Sequence, residues 1–239
     1  LQQQMEVPIW GNGTPGTRLA IEASWGASAR VEVNAEGAWK TLLQTPAYGG
    51  PYEVNIRSEQ HQIVLQDIMI GEVWLTSGQS NMEMPMKGFK YAKVHELVEG
   101  AEKEIANANY PEIRIFTVKR TIALEPQENM EGNWAVCSSE TLGEFSAVAY
   151  YFGKKLHQEL NVPIGLIHSS WGGSPAESWV RLDLIEKIKG FENTSKRLEI
   201  ANDPNTPYNK WVAKHTSVKW DSLIEVDNFK WVDKTHLEF

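Results

Sequence analysis

The chain is poor in several features on which large classes of protein depend. Its single cysteine, Cys137, cannot form a disulfide within the chain. The apolar runs are too short for a transmembrane helix, so we expect no membrane partner. A formal net charge of −8 argues against a nucleic-acid partner, which would require a basic surface. No group of histidine, cysteine, aspartate and glutamate has the spacing of metal ligands, so we expect no metal.

Short segments that alternate apolar and polar residues dominate residues 1–66, with Gly- and Pro-rich turns between them. The predicted strands are Met5–Trp10, Arg18–Trp25, Arg30–Val33, Tyr52–Ile56 and Gln62–Leu65. Several short strands at this spacing predict a small antiparallel β-sandwich, which we interpret as an accessory domain. We expect its start to be truncated, because the first strand begins almost at Leu1.

From residue 67 the pattern changes to strands that alternate with helices. The predicted strands are Ile70–Leu75, Ile113–Val118 and Val162–Ile167, and the predicted helices are Tyr91–Ala108, Phe145–Leu160 and Ala176–Lys189. This alternation predicts an α/β fold, a parallel sheet flanked by helices, over residues 67–190. The remaining residues, 191–239, lose the pattern, and we interpret them as a linker or the start of an insertion.

The segment Gly71–Met82 reads GEVWLTSGQSNM and presents one serine, Ser80, between a predicted strand and a predicted helix. The strand fixes the position, and Gly78 permits a sharp bend. The start of a helix directs backbone N–H groups toward a developing oxyanion. This arrangement suits a nucleophilic hydroxyl, so we predict that Ser80 is the nucleophile. The alternative is a turn serine whose hydroxyl makes only a local hydrogen bond.

A second segment of this kind, Ile164–Trp179, reads IGLIHSSWGGSPAESW. An apolar strand runs into a turn with paired glycines, Gly172 and Gly173, followed by Pro175 where a helix is able to begin. At the carboxyl edge of an open parallel sheet, such turns line the crevice where ligands bind. We therefore expect Gly172 and Gly173 to bring backbone N–H groups to the same site as Ser80.

Together these motifs resemble those of the sialate O-acetylesterases, carbohydrate esterases of the SGNH (GDSL-like) hydrolase superfamily. The resemblance rests on four segments in order: Gly71–Trp74, Gly78–Met82, Phe145–Phe152 and Ser170–Trp179. It implies an SGNH-type α/β fold, removal of acetyl groups from sugar hydroxyls, and no metal or other cofactor. It also implies that Ser80 is the nucleophile and that the backbone N–H groups of Ser80 and of Gly172 or Gly173 form the oxyanion hole.

The chain departs from the family pattern in its second half. The family's later Gln-Gly-Glu segment is absent, and only 60 residues follow Trp179. We therefore interpret the chain as a fragment without a signal peptide, which holds the first half of the catalytic domain. Asp233 and His236 match the family's Asp-x-x-His pair and are the candidates for the catalytic base and its orienting carboxylate. The alternative is a chance match, since βα repeats do not precede the pair.

Residues that flank the two turns are candidates for substrate binding. Gln79 and Asn81 either orient the substrate or stabilise the turn, and Trp171 either walls a sugar pocket or packs in the core. His168 either contacts substrate or is a buried, hydrogen-bonded histidine at a strand end.

The function that these features predict is serine-dependent removal of O-acetyl groups from sugars, with acetylated sialic acid as the first candidate substrate. Ten tryptophans favour a carbohydrate ligand, because aromatic rings stack on sugar rings. Two alternatives remain open: a non-catalytic binder of acetylated glycans, and an esterase of the acetyl xylan type. We expect a periplasmic or secreted bacterial protein.

Overall fold

The computed structural model describes residues 1–91, 94–96, 98–123 and 125–215. The chain forms two compact units. The first comprises Leu1–Phe89, His95–Thr121 and Glu128–Ser174. The second comprises Lys90–Val94, Ile122–Gln127 and the chain from Pro175, described here as far as His215. Both predicted turns of the site belong to the first unit.

Six strands build two antiparallel sheets at the start of the first unit. They are β1 (Glu6–Asn12), β2 (Arg18–Ala23), β3 (Ser28–Glu32), β4 (Ala38–Gln44), β5 (Gly49–Arg57) and β6 (Gln62–Ile70). β1 pairs with β4, and the other four follow the order β3-β2-β5-β6. Side chains such as Ile21, Leu43 and Val54 are buried in one common core, so the predicted antiparallel arrangement is confirmed.

Two features of this region, the strand β4 and the end of β6, were not part of the sequence prediction. β4 was not predicted, because the adjacent Leu42 and Leu43 break the simple alternation, with Leu42 half exposed and Leu43 buried. β6 continues to Ile70, so the predicted domain boundary after residue 66 falls within a strand. The division into an accessory and a catalytic domain stays a prediction.

The sheet that carries the candidate site is mixed. Its strands are β7 (Glu72–Gly78), β10 (Asn109–Thr117), β11 (Trp134–Ser138) and β12 (Ile164–Ser170), and two three-residue strands, β8 (Phe89–Tyr91) and β9 (Val94–Glu96), lie between β7 and β10 in the chain. β12 lies between β7 and β10 and is parallel to both, whereas β11 is antiparallel to β10. The expectation of a purely parallel sheet is therefore corrected, since β11 returns along an edge without a crossover helix.

The described residues form six α-helices, and of the three helices predicted from periodicity one is found over nearly its full length. The six are α1 (Ser80–Glu83), α2 (Ala101–Ala106), α3 (Ala147–Leu160), α4 (Leu182–Ile185), α5 (Thr194–Asn202) and α6 (Pro207–His215). α3 confirms the prediction of a helix over Phe145–Leu160. Ser146 caps its start by accepting a hydrogen bond from the Ala149 N–H, and Asn161 ends it in the left-handed conformation. Its buried face packs on β12 in the core of the first unit.

Two predicted helices are wrong over most of their length. In place of Tyr91–Ala108 there are a strand residue at Tyr91, the strand β9, and then the short α2, which begins after Gly100 at φ +73°. In place of Ala176–Lys189 there are a 3₁₀ turn and α4, because Val180 between them is extended. In both cases the apolar residues have helical spacing, but the backbone is helical over only part of the segment.

No helix within the described ranges is long and apolar enough to cross a membrane.

Candidate active site

The residues that follow three parallel strands lie at one edge of the mixed sheet. Ser80 comes two residues after the end of β7, Arg120 three residues after the end of β10, and Trp171 directly after β12. Because β7, β10 and β12 run in the same direction, these segments meet at the carboxyl edge. The prediction that both functional turns lie at the same edge is confirmed.

The serine turn has the sharp bend that the sequence indicates. Gly78 lies at φ +149°, and a Cβ atom there would lie 2.9 Å from Cγ of Met82, so only glycine fits without rearrangement. Ser80 is the first residue of α1 and is exposed to solvent. The helix expected after Ser80 is α1, a single turn of four residues, so its dipole at the site is small.

The start of α3 supports the serine turn from below. The Ser146 hydroxyl, fully buried, donates to the Met82 carbonyl oxygen at 2.6 Å. The Ala147 N–H donates to the Met84 carbonyl oxygen at 2.9 Å. These bonds tie the segment that carries Ser80 to the longest helix of the first unit. Sequence analysis did not identify Ser146 as a support of the serine turn, although its place just before the apolar pattern of α3 marked it as a helix cap.

The glycine turn lies directly against Ser80. A Cβ atom at Gly172 would lie 3.2 Å from the Ser80 Oγ and 3.5 Å from the Ser80 Cα. The Trp171 N–H donates to the Gly78 carbonyl oxygen at 3.0 Å and so joins the two turns. Gly173 adopts φ +77° with no atom within 4 Å of a Cβ position. The structure thus brings Gly172 against Ser80, with Gly173 as the next residue of the same turn.

The candidate substrate residues have different surroundings. The Gln79 amide Nε2 donates to the Ser174 carbonyl oxygen at 2.6 Å, which stabilises the contact between the turns. Asn81 is exposed beside Ser80. Trp171 is 36% exposed, and its ring lies 5.8 Å from the Arg120 Cζ. The Trp171 ring is therefore exposed and does not pack in the core.

A carboxylate that the sequence analysis did not assign joins the two turns. Glu83 accepts the Gly172 N–H with Oε2 and forms an ion pair with Arg120 through Oε1. Its side chain is only 13% exposed, whereas that of Arg120 is 49% exposed. The sequence signals were that Glu83 follows Ser80 by three positions, and thus lies near it on a helical turn, and that Arg120 follows the end of a predicted strand.

His168 is buried, as one of its two interpretations predicted, but the expected hydrogen bond is missing. It is 5% exposed, and neither ring nitrogen has a hydrogen-bond partner among the described residues. Its ring packs edge-on against Phe145, with 5.6 Å between ring centroids. Burial lowers the pKa of His168 below its usual value, and the positive charge of Arg120 adds to this.

We expect His168 to make the protein sensitive to mild acid. Its folded-state pKa is lowered from 6.5, so below about pH 6.5 the unfolded chain binds the proton first and the folded state loses stability. Above pH 6.5 both states are neutral and the effect vanishes. His168→Leu should therefore flatten the fall in the free energy of unfolding between pH 6.5 and 5, measured by urea titration. The exposed His61, changed to Gln, is the control, and an unchanged slope in His168→Leu would contradict this prediction.

Asp233 and His236, the candidate base pair, lie outside the described residues. Within the described part of the chain, no histidine forms a hydrogen bond with the Ser80 hydroxyl. Among the same residues, no three histidine, cysteine, aspartate or glutamate side chains are grouped to hold a metal ion.

The curated proteins that the chain matches share one name. No protein-family model matches the chain. The sialate O-acetylesterase of Pongo abelii is 32% identical over 236 residues, which cover 90% of this chain and 41% of the relative. The enzyme of that name from Homo sapiens is 31% identical with the same coverage. That of Rattus norvegicus is 33% identical over 92% of this chain and 42% of its own length.

A solved structure agrees with these relatives. The crystal structure of a carbohydrate acetylesterase from Xanthomonas citri matches with a TM-score of 0.71 and 33% identity. The match covers 79% of this chain and 42% of that protein. The chain thus spans about two fifths of the length of the proteins that it matches. Across 90% of its own length the chain is similar to the sialate O-acetylesterases, which confirms the resemblance seen in its motifs.

Proposed function

We propose that this chain carries the nucleophile of a serine ester hydrolase that removes O-acetyl groups from sugars, on an SGNH-type α/β domain. The observation that carries the proposal is the approach of the Gly172 turn to the exposed Ser80 hydroxyl. The names of the relatives, sialate O-acetylesterase and carbohydrate acetylesterase, support the same reaction. The mixed sheet, with parallel β7, β12 and β10, supports the SGNH assignment.

The reaction would proceed in two steps through Ser80. Its Oγ attacks the acetyl carbonyl carbon and loses its proton to a histidine base, and the carbonyl oxygen becomes an oxyanion. When the tetrahedral intermediate collapses, the bond to the sugar oxygen breaks and that oxygen receives the proton. Water then attacks the acetyl-serine by the same route and releases acetate. Ser80 on its short, anchored turn supplies the fixed position that this sequence of steps requires.

The oxyanion would be bound by the backbone N–H groups of Ser80 and Gly173. The Gly172 N–H already donates to Glu83, whereas the Gly173 N–H has no protein acceptor in the described chain. Gly173 is therefore the donor that the geometry favours between the two glycines. Donors of this kind each typically contribute about 100- to 1000-fold to the rate.

The base in this proposal is His236, oriented by Asp233, as the sequence motif indicates. His168 does not fit that role, because its ring is buried against Phe145 and neither ring nitrogen has a hydrogen-bond partner among the described residues. A periplasmic or secreted location fits a substrate that is part of an extracellular glycan.

Substrate preference separates this proposal from its alternatives. We expect acetate release from O-acetylated sialic acid with a kcat/KM at least about 10-fold above that for acetylated xylan, since a difference of one well-placed contact is worth roughly that much. Acetate measured by a coupled assay, on both substrates at matched acetyl concentration, makes the comparison. The reverse order would identify an acetyl xylan type of esterase. Binding of acetylated sialic acid by calorimetry without acetate release would identify a non-catalytic binder.

A further inference from the structure

We propose that Glu83 is a positioning residue of the active site, which holds the Gly172 turn against Ser80 with the help of Arg120. The inference deepens the proposed function and rests on it. It assigns a role to a carboxylate whose side-chain partners among the described residues are Gly172 and Arg120. Glu83 acts on the reaction indirectly, because it fixes the distance between the serine turn and the glycine turn.

The contacts of Glu83 use both of its carboxylate oxygens. Oε2 accepts the Gly172 N–H, and Oε1 pairs with the Arg120 guanidinium. The side chain is only 13% exposed. A carboxylate buried to that extent is stable only when its oxygens have hydrogen-bond or ion-pair partners. The residue therefore connects α1, the segment after β10 and the turn after β12.

Arg120 contacts the same turn through Trp171. Its guanidinium lies over the Trp171 ring, 5.8 Å from the ring centroid, which is within the range of a cation–π contact. Trp171 directly precedes Gly172, so one cation pairs with Glu83 and also contacts the residue next to the Gly172 N–H. The ion pair alone would contribute little on an open surface, since Arg120 is half exposed. The pair stabilises the turn because Glu83 is buried and because Glu83 also accepts a charge-assisted hydrogen bond from the Gly172 N–H.

The geometry of the glycine turn shows why this contact matters for the reaction. The Gly172 Cβ position lies 2.6 Å from the Glu83 Oε2 and 3.2 Å from the Ser80 Oγ, so the turn is held as close as a bare backbone permits. Gly173 follows directly, and its N–H is the proposed oxyanion donor. A displacement of about 1 Å at such a site costs on the order of 100-fold in rate. Releasing Gly172 from Glu83 would permit that displacement.

The test compares Glu83→Ala with Glu83→Gln in hydrolysis of p-nitrophenyl acetate. Glu83→Ala removes both contacts, and we expect kcat to fall about 10- to 100-fold with KM changed less than about 2-fold. Glu83→Gln keeps an oxygen that accepts the Gly172 N–H, so it should recover a large part of the loss. The matched control is Glu131→Ala, which removes a glutamate paired with Lys119 on the open surface, at 73% exposure, and should retain wild-type kcat.

Two further readouts distinguish positioning from other roles. In ¹H–¹⁵N spectra the Gly172 amide proton should lie downfield in the wild type and move upfield in Glu83→Ala. The dependence of kcat on pH should keep its shape in that variant, because Glu83 does not exchange the reacting proton. If Glu83→Ala does not fold, Arg120→Gln replaces it, with an expected fall in kcat of a few-fold and a smaller upfield shift.

Wild-type kcat in folded Glu83→Ala would overturn the proposal, as would an unchanged Gly172 amide shift. Loss of one limb of the pH profile would overturn it too, since Glu83 would then be an acid or base. Failure of the proposed function gives a different result: the wild-type protein would not hydrolyse the ester. The Gly172 amide shift does not depend on turnover and tests the contact in that case as well.

Discussion

Ser80→Ala should reduce hydrolysis of an acetyl ester to the uncatalysed background. Ser80 is the exposed serine on the bend after β7, and the Gly172 turn lies against its hydroxyl. Without that oxygen no acetyl-enzyme forms, and removal of a catalytic serine typically costs at least about 10⁴-fold in kcat. Release of p-nitrophenol from p-nitrophenyl acetate measures the loss. The fold should be retained, because no hydrogen bond of the Ser80 side chain stabilises the described chain.

The matched control is Ser77→Ala. Ser77 is also exposed and lies three residues earlier, within β7. It should hydrolyse the ester at the wild-type rate. If Ser80→Ala kept more than a few per cent of the activity while folded, another group would be the nucleophile.

Gly172→Ala should cost about 100-fold in kcat/KM, because the added methyl group would crowd the nucleophile. Its Cβ would lie 2.6 Å from the Glu83 Oε2 and 3.2 Å from the Ser80 Oγ, so either Glu83 must leave the Gly172 N–H or the two turns must separate. Both changes move the oxyanion donors away from Ser80. Steady-state kinetics on p-nitrophenyl acetate, with the urea midpoint as a check on folding, measures the effect.

Gly143→Ala serves as the control for this substitution. Gly143 has no positive φ. A Cβ atom there would lie 4.0 Å from its nearest neighbour, the Ile105 Cδ1, so the methyl group fits. This variant should match the wild type in kcat/KM. Equal activity in Gly172→Ala would show that the glycine turn does not border the reacting atoms.

The elements that fix the site were predictable from local patterns. The apolar strands before Ser80 and before Trp171 were recognised, and parallel pairing of β7 with β12 places both turns at one edge. α3 was predictable because its apolar face, its Ser146 cap and its Asn161 end all agree. Where propensity, periodicity and end signals coincide, the sequence determines the element.

The contacts that join the turns were not predictable in this way. Glu83 and Arg120 are 37 positions apart, and Glu83 and Gly172 are 89 apart, so no local signal connects them. The helix predicted over Tyr91–Ala108 failed for another reason. Its apolar spacing is real, but Gly100 in the left-handed conformation confines the helix to Ala101–Ala106. The contacts of Glu83 thus depend on the tertiary fold, whereas the length of this helix depends on the local backbone at Gly100.

Covalent labelling of the nucleophile tests the central claim most directly. The protein is treated with a fluorophosphonate ester, digested with trypsin and analysed by tandem mass spectrometry. The tryptic peptide spanning residues 58–87 contains Ser58, Ser77 and Ser80. Our account predicts one phosphonyl group, on Ser80, formed in parallel with loss of esterase activity. An adduct on Ser77 or outside this peptide, or full inhibition with Ser80 unmodified, would contradict it.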